Sequence, residues 1–336
     1  MDNAQSVEDT AVGDPPRRRS RRGAWIVGAA AVAVLLGGAF GYFNTNVLDS
    51  GRICHGWVTP DEAARALGGG LGRVSASEDS ATSCTIRKAG WLPGQDERLS
   101  LRTVTEQAGF PFGRGAWQIS AARHVMSGGT HGAYDAYGGW ALLPAVCAKS
   151  FDGDGASPVL HADVTSPDTA GDADGMRDLL AAASRALIDG SADCATPGYG
   201  DTATVTSAPS PARAADLDQV CGIGGFQLTK AQGPSGRRVI EQVVGSPGQG
   251  SLYCDLSFDG DRDGPFARLA VVGDPALVAA FTGRDVTRAE CAGRDTVFAL
   301  DLRYFDASER AATHLPDTAG FTEEFTEAAG AAMRCA

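Results

Sequence analysis

Lysine is almost missing from this chain: three residues, Lys88, Lys149 and Lys230, stand in 336 beside 26 arginines. With so much Ala and Gly, that imbalance reads as a coding bias rather than as physics. Basic residues of both kinds are outnumbered, 29 against 41 acids, giving a net charge of −12. A surface of that sign argues against nucleic acid as a partner and against docking on anionic headgroups. Histidine is also scarce, with five residues. The sequence contains no His-Glu-x-x-His, no Gly-x-Ser-x-Gly and no Ser-x-x-Lys, so the common metalloprotease and serine-hydrolase signatures are absent. It contains no Cys-x-x-Cys either, which removes dithiol redox chemistry and zinc knuckles. What remains points to no catalytic residue, no metal ligand set and no cofactor.

One long uncharged run is present. Ala24 to Phe43, AWIVGAAAVAVLLGGAFGYF, has no charge and no proline. At ~1.5 Å per residue, a helix of this length crosses a hydrocarbon core of ~30 Å. Arg17 to Arg22, RRRSRR, precedes it and no comparable basic cluster follows, so the N-terminus is expected inside and the rest outside. Trp25, Tyr42 and Phe43 fit interfacial aromatic belts. A cleaved signal is the alternative, but the run itself ends in bulky Tyr42 and Phe43, beside the place where a small-x-small cleavage site belongs. Residues 1–23, poor in large apolar side chains, read as a disordered cytoplasmic tail. The lipid bilayer is thus the expected partner of residues 24–43, and the cell membrane the expected location.

All eight cysteines fall beyond the run, an even number that reads as disulfides in an oxidising compartment. They divide four and four around 197–215, PGYGDTATVTSAPSPARAA, whose composition reads as a linker between domains at 44–196 and 216–336. Cys54 and Cys84 are 30 apart; Cys221 and Cys254 are 33 apart. Both halves carry PDTAG, at Pro167 to Gly171 and Pro316 to Gly320, each leading into an Ala-rich segment that ends at the fourth cysteine. This common order indicates an internal duplication. Three pairings are possible within each half. Pairing of neighbours is expected: Cys54–Cys84, Cys147–Cys194, Cys221–Cys254 and Cys291–Cys335.

Local patterns give the fold class. Thr59-Pro60-Asp61-Glu62 is a capping box before a short helix. Alternating apolar positions predict strands at Arg98 to Val104, Pro158 to Val164 and Thr296 to Phe305; the short apolar run Ala141 to Val146, the β-branched Arg238 to Val244 and Phe266 to Val272 also read as strands. Met176 to Ile188 carries a helical apolar stripe, Asp274-Pro275 starts a helix, and Thr322 is expected to cap the last one. Each domain is therefore expected to be α+β, a mostly antiparallel sheet with helices on one face, stapled by two disulfides.

The halves differ most between their second and third cysteines, by 63 residues against 37. The surplus lies around Phe110 to Trp140, which holds six of the 24 aromatics. Phe110, Phe112, Trp117, His131, Tyr134, Asp135, Tyr137 and Trp140 form the candidate binding surface. The plainer alternative is a hairpin whose rings cover the core. Ser120, Ser127, His124, His131 and Asp135 also supply residue types for a hydrolase, without a motif that unites them. Asp259-Gly-Asp261-Arg-Asp263-Gly264 resembles the start of a calcium loop, but Ala270 stands where a bidentate Glu belongs, so a solvated turn is expected. His161 and Asp163 share a strand face; one such pair does not make a metal site.

ICHGWVTPDEAARALG, WALLPAVC and VCGIGGF resemble segments of actinobacterial cell-envelope proteins and lipoproteins, largely of unknown function. The resemblance implies envelope localisation and carries over no catalytic residue. It lacks the lipobox of the lipoprotein members, since Gly51-Arg52-Ile53 precedes Cys54. The expected function is that of a single-pass, membrane-anchored binding module for an envelope protein or small-molecule ligand. A cell-envelope hydrolase using 110–140 and a structural spacer are the alternatives.

Overall fold

The computed structural model describes residues 32–35, 37–38, 41, 46, 51–89, 96–105, 120–151, 158–165, 171–194, 203–261, 264–281 and 286–336. The expected tail and most of the expected membrane span lie outside these. Within 24–43, residues 32–35, 37–38 and 41 are helical, and Val32, Val34 and Leu35 are exposed. Among the described residues no helix is long and apolar enough to cross a membrane.

The first half opens on helix α1 (Pro60–Ala66). Thr59 and Glu62 form the expected capping box, each side chain meeting the other's backbone N–H. At the other end of α1 the chain turns through Gly68, Gly69 and Gly70, all at positive φ. The buried Lys88 ammonium donates there to the carbonyls of Leu67 and Gly69 and pairs with Glu97 at 2.9 Å. A cation at a helix C-terminus complements the dipole. Strands β1 (Val74–Ser80), β2 (Ser83–Lys88) and β3 (Glu97–Val104) form a meander. After β4 (His124–Gly128), β5 (His131–Asp135) and β6 (Gly138–Leu142), strand β7 (Val159–Thr165) inserts between β3 and β6. Helix α2 (Ala173–Gly190) then covers one face. The strand expected over Ala141 to Val146 stops at Leu142. Pro144 lacks an N–H for the ladder, and a 3₁₀ turn occupies Ala145–Phe151.

The second half repeats this plan. Strands β10 (Val239–Ser246), β11 (Ser251–Phe258) and β12 (Ala267–Val272) form a meander, and β14 (Arg294–Leu302) inserts between β12 and β13 (Thr287–Cys291). The order β10-β11-β12-β14-β13 thus matches β1-β2-β3-β7-β6. Cys84 and Cys254 lie on the second strand of each series, opposite Leu101 and Leu269. Cys54 and Cys221, which open the halves, share a left-handed backbone, φ 57° and 60°. All four neighbour pairings of cysteine are present. The two halves thus share strand order, cysteine placement and backbone conformation at the opening cysteine.

Helices α3 (Pro275–Ala280), α4 (Ala307–Thr313) and α5 (Thr318–Met333) complete the second half. The expected cap Thr322 sits inside α5, where its hydroxyl donates to the Thr318 carbonyl; Asp317, within PDTAG, is the true N-cap. The strand expected to reach Phe305 ends at Leu302. There the chain leaves the sheet so that Phe305 packs edge-on to Phe258 and Phe266, and Tyr304 points into solvent.

Both sheets are apolar on both faces. Met126, Tyr134, Ala141 and Leu160 face α2, while the alternate residues Val125, Ala133, Trp140 and Val159 face away from it. Leu252, Cys254, Leu269 and Phe298 likewise face α5, and Tyr253, Ala270, Val272 and Val297 face away. These two outward sets meet in one shared core. The order of layers is helix, sheet, sheet, helix. Residues expected as an open linker complete the two sheet edges: β8 (Thr204–Ser207) pairs with β4, and β9 (Arg213–Ala214) pairs with β10. Buried Glu241 fixes β9 by accepting from Arg213 and from the Cys221 N–H, each at 2.9 Å.

Candidate functional site

The surplus segment of the first half supplies β4 and β5, which widen the first sheet to eight strands against six in the second. Period-2 alternation decides where its side chains go. Tyr134 faces the helices, is buried and stacks on His124 at 5.0 Å between ring centres. Trp140 is fully buried in the shared core. These two rings are therefore core, and the surface expected to include them is corrected accordingly. Tyr137 is exposed at the β5–β6 turn. Asp135 pairs with Arg123 at 2.9 Å and accepts from the Tyr137 and Gly138 N–H groups. Phe110, Phe112 and Trp117 lie outside the described residues.

His131 is the member of that set that reaches the other half. It shares the Ala133 face of β5, and its Nδ1 lies 2.8 Å from Oδ2 of Asp274, the N-cap of α3. Asp274 Oδ1 accepts from the Ala276 and Leu277 N–H groups. Burial raises the affinity of Asp274 for a proton, but the His131 hydrogen bond and charge and those two N–H groups outweigh it and hold the carboxyl below its ordinary value. A second bridge across the seam runs from Asp255 on β11. Its Oδ2 accepts from the Ser120 hydroxyl at 3.0 Å and the Ala121 N–H at 3.3 Å. Burial pushes the Asp255 carboxyl above its ordinary range despite Arg268, 3.8 Å away.

Beside the His131–Asp274 pair the seam opens into a cleft of ≈ 230 Å³. The first half contributes Ser127 on β4 and Ser207 on β8; the second contributes Ser251, Tyr253, Asp274 and Arg294. Arg294 is placed there by the β13–β14 hairpin, whose two-residue turn, Ala292-Gly293, has both φ values positive, 50° and 78°. That is the primed turn whose twist suits a tight hairpin. Arg294 forms no ion pair among the described residues. Tyr253 is 1% exposed, and its hydroxyl has no hydrogen-bond partner among the described residues. Burial and the negative charge of Asp274 raise its ionisation well above the usual phenol range, so the hydroxyl stays a donor.

No family model matches this chain, and neither does any curated protein. Among solved structures, the crystal structure of DynU16, a protein in the dynemicin biosynthetic locus, aligns over 82% of this chain and 87% of that one. Its identity is 10% and its TM-score 0.11, a likeness that carries no argument about fold or function.

The remaining chemistry-bearing groups are occupied in structural roles. His161 Nδ1 and Asp163 Oδ2 lie 2.9 Å apart, and that pairing, helped by Arg102 and Arg123, lowers the Asp163 carboxyl against the effect of burial. Asp259 and Asp261 of the calcium-like turn pair with Arg238 and Arg303. Among the described residues no three metal-ligating side chains converge. No serine hydroxyl hydrogen-bonds to His124, His131 or His161 there, so the residue types of a hydrolase are present without its geometry. A second, shallower groove of ≈ 550 Å³ runs between Gly224-Gly225 and α5, where Glu324 and Glu327 line it without a basic group. The sequence gives no direct signal for Tyr253, Arg294 or Asp274 as neighbours. Asp274-Pro275 is legible as a helix start, but not as a partner of His131.

Proposed function

We propose that this chain is an extracytoplasmic binding module, held at the membrane by residues 24–43, whose ligand enters the cleft between the duplicated halves. The observation that carries the reading is the composition of that cleft. Hydrogen-bonding side chains from both halves line it, at the place where the surplus strands meet the second sheet, and the Tyr253 hydroxyl among them has no hydrogen-bond partner among the described residues. A small concave site with a few converging polar groups on an apolar wall is the usual form of a ligand site. Four disulfides support an oxidising compartment outside the membrane.

A hydrolase is the weaker reading, because among the described residues His131 has a carboxylate partner but no hydroxyl nucleophile bonded to it. The test is site-specific photo-crosslinking on intact cells. A crosslinking side chain at Ser127 should capture a defined species that the same group at exposed Tyr304 does not. Identical products at both positions would overturn the reading.

A further inference from the structure

The chemistry of the cleft narrows what it can hold. Arg294 is the cation of the lining, and no carboxylate among the described residues pairs with it. Asp274 offers little to a ligand. One oxygen accepts from two backbone N–H groups and the other meets His131. The cleft lining therefore carries one exposed positive group with no ion-pair partner among the described residues and one negative group whose oxygens are already hydrogen-bonded. A monoanion is favoured; a dianion such as phosphate meets the Asp274 charge without a second cation to offset it. A cation is disfavoured for the opposite reason, since two or more free carboxylates are lacking.

The rest of the lining asks for hydroxyl groups. The Tyr253 hydroxyl is buried, protonated and without a partner among the described residues, and a buried donor left unmade is destabilising. Ser127, Ser207 and Ser251 each donate and accept, as does Gln249, and they stand on both sides of the seam. Guanidinium matches carboxylate in a planar, two-bond geometry. We infer that the cleft binds a small hydroxylated carboxylate, its carboxylate on Arg294 and its hydroxyl end against Tyr253 and the seryl groups of both halves. This rests on the reading of the cleft as the ligand site.

The experiment is calorimetric titration of the full chain in detergent with glucuronate and lactate, beside glucose and inorganic phosphate. Amide spectra recorded in parallel locate the binding. One or both carboxylates should bind saturably and perturb Ser127, Gly250 and Ser251. Arg294→Gln should weaken binding by about tenfold or more, and Tyr253→Phe by about threefold, with the amide spectrum of each variant otherwise native. Saturable binding of glucose or phosphate in preference to the carboxylates, at the same amides, overturns the ligand class and leaves the cleft standing as a site. No perturbation at these amides by any probe up to about 10 mM overturns both.

Discussion

Ala292 is held at φ 50° in the turn that presents Arg294. A left-handed backbone costs an L-residue with a Cβ roughly 1–2 kcal/mol, while Asn tolerates it, and Asn-Gly is the preferred pair for a primed hairpin turn. Ala292→Asn should therefore raise stability by about 0.5–1 kcal/mol in denaturant titration, without loss of binding. Asp255 behaves oppositely to most carboxylates. Its proton is held more tightly when folded, so across the window from its unfolded value of about 3.9 up to its raised folded value the native state binds more protons. Stability contributed by this group falls as pH rises through that window. Asp255→Asn keeps an oxygen to accept from Ser120 and Ala121 and removes the buried charge. The variant should lose this part of the pH dependence, read as a smaller drop in denaturation midpoint between acid and neutral pH. Asp274 has the usual sign: its contribution is present above the unfolded value and is lost as pH falls through the lowered folded one.

At the scale of elements, α1 and α2 touch through glycine. A Cβ on Gly175 would lie 2.6 Å from the Arg65 carbonyl carbon and oxygen, backbone that no rotamer change can move. Gly175→Ala should push α1 from α2 and cost about 1–3 kcal/mol, seen as a lower midpoint with the four disulfides still formed. Elements of this kind were largely legible. Thr59 and Glu62 announce α1, Asp274-Pro275 announces α3, and cysteine spacing separates the two halves and anticipates each bridge. What stayed hidden depends on contacts distant in sequence. Trp140 and Tyr134 read as surface aromatics because the second sheet that covers Trp140 comes a hundred residues later. The linker composition reads as flexible because edge strands as short as β9 carry no periodicity of their own. Nothing local marks Tyr253, whose isolation is visible only once Asp274 and β4 stand beside it.

At the scale of the molecule, the shared core makes the duplicated halves one structural body. Trp140 is fully buried in it, between strands of one sheet and the face of the other. Trp140→Ala should cost about 3–5 kcal/mol and should weaken both halves together. Thermal unfolding of the unmodified chain should be one cooperative transition, because neither sheet can hide its second apolar face without the other. The common strand order of the two halves and their face-to-face packing also explain where the cleft lies. Two copies of one unit, made unequal by β4 and β5, leave a recess along the seam, and its polar lining is drawn from both.

The most direct test of that account is amide-resolved spectroscopy of the full chain against a diverse library of small polar molecules. The account predicts that the molecules that bind perturb one cluster of amides drawn from both halves, Ser127 with Gly250, Ser251 and Gly273. Perturbations confined to the groove beside Glu324 and Glu327, or scattered without a common centre, would contradict it.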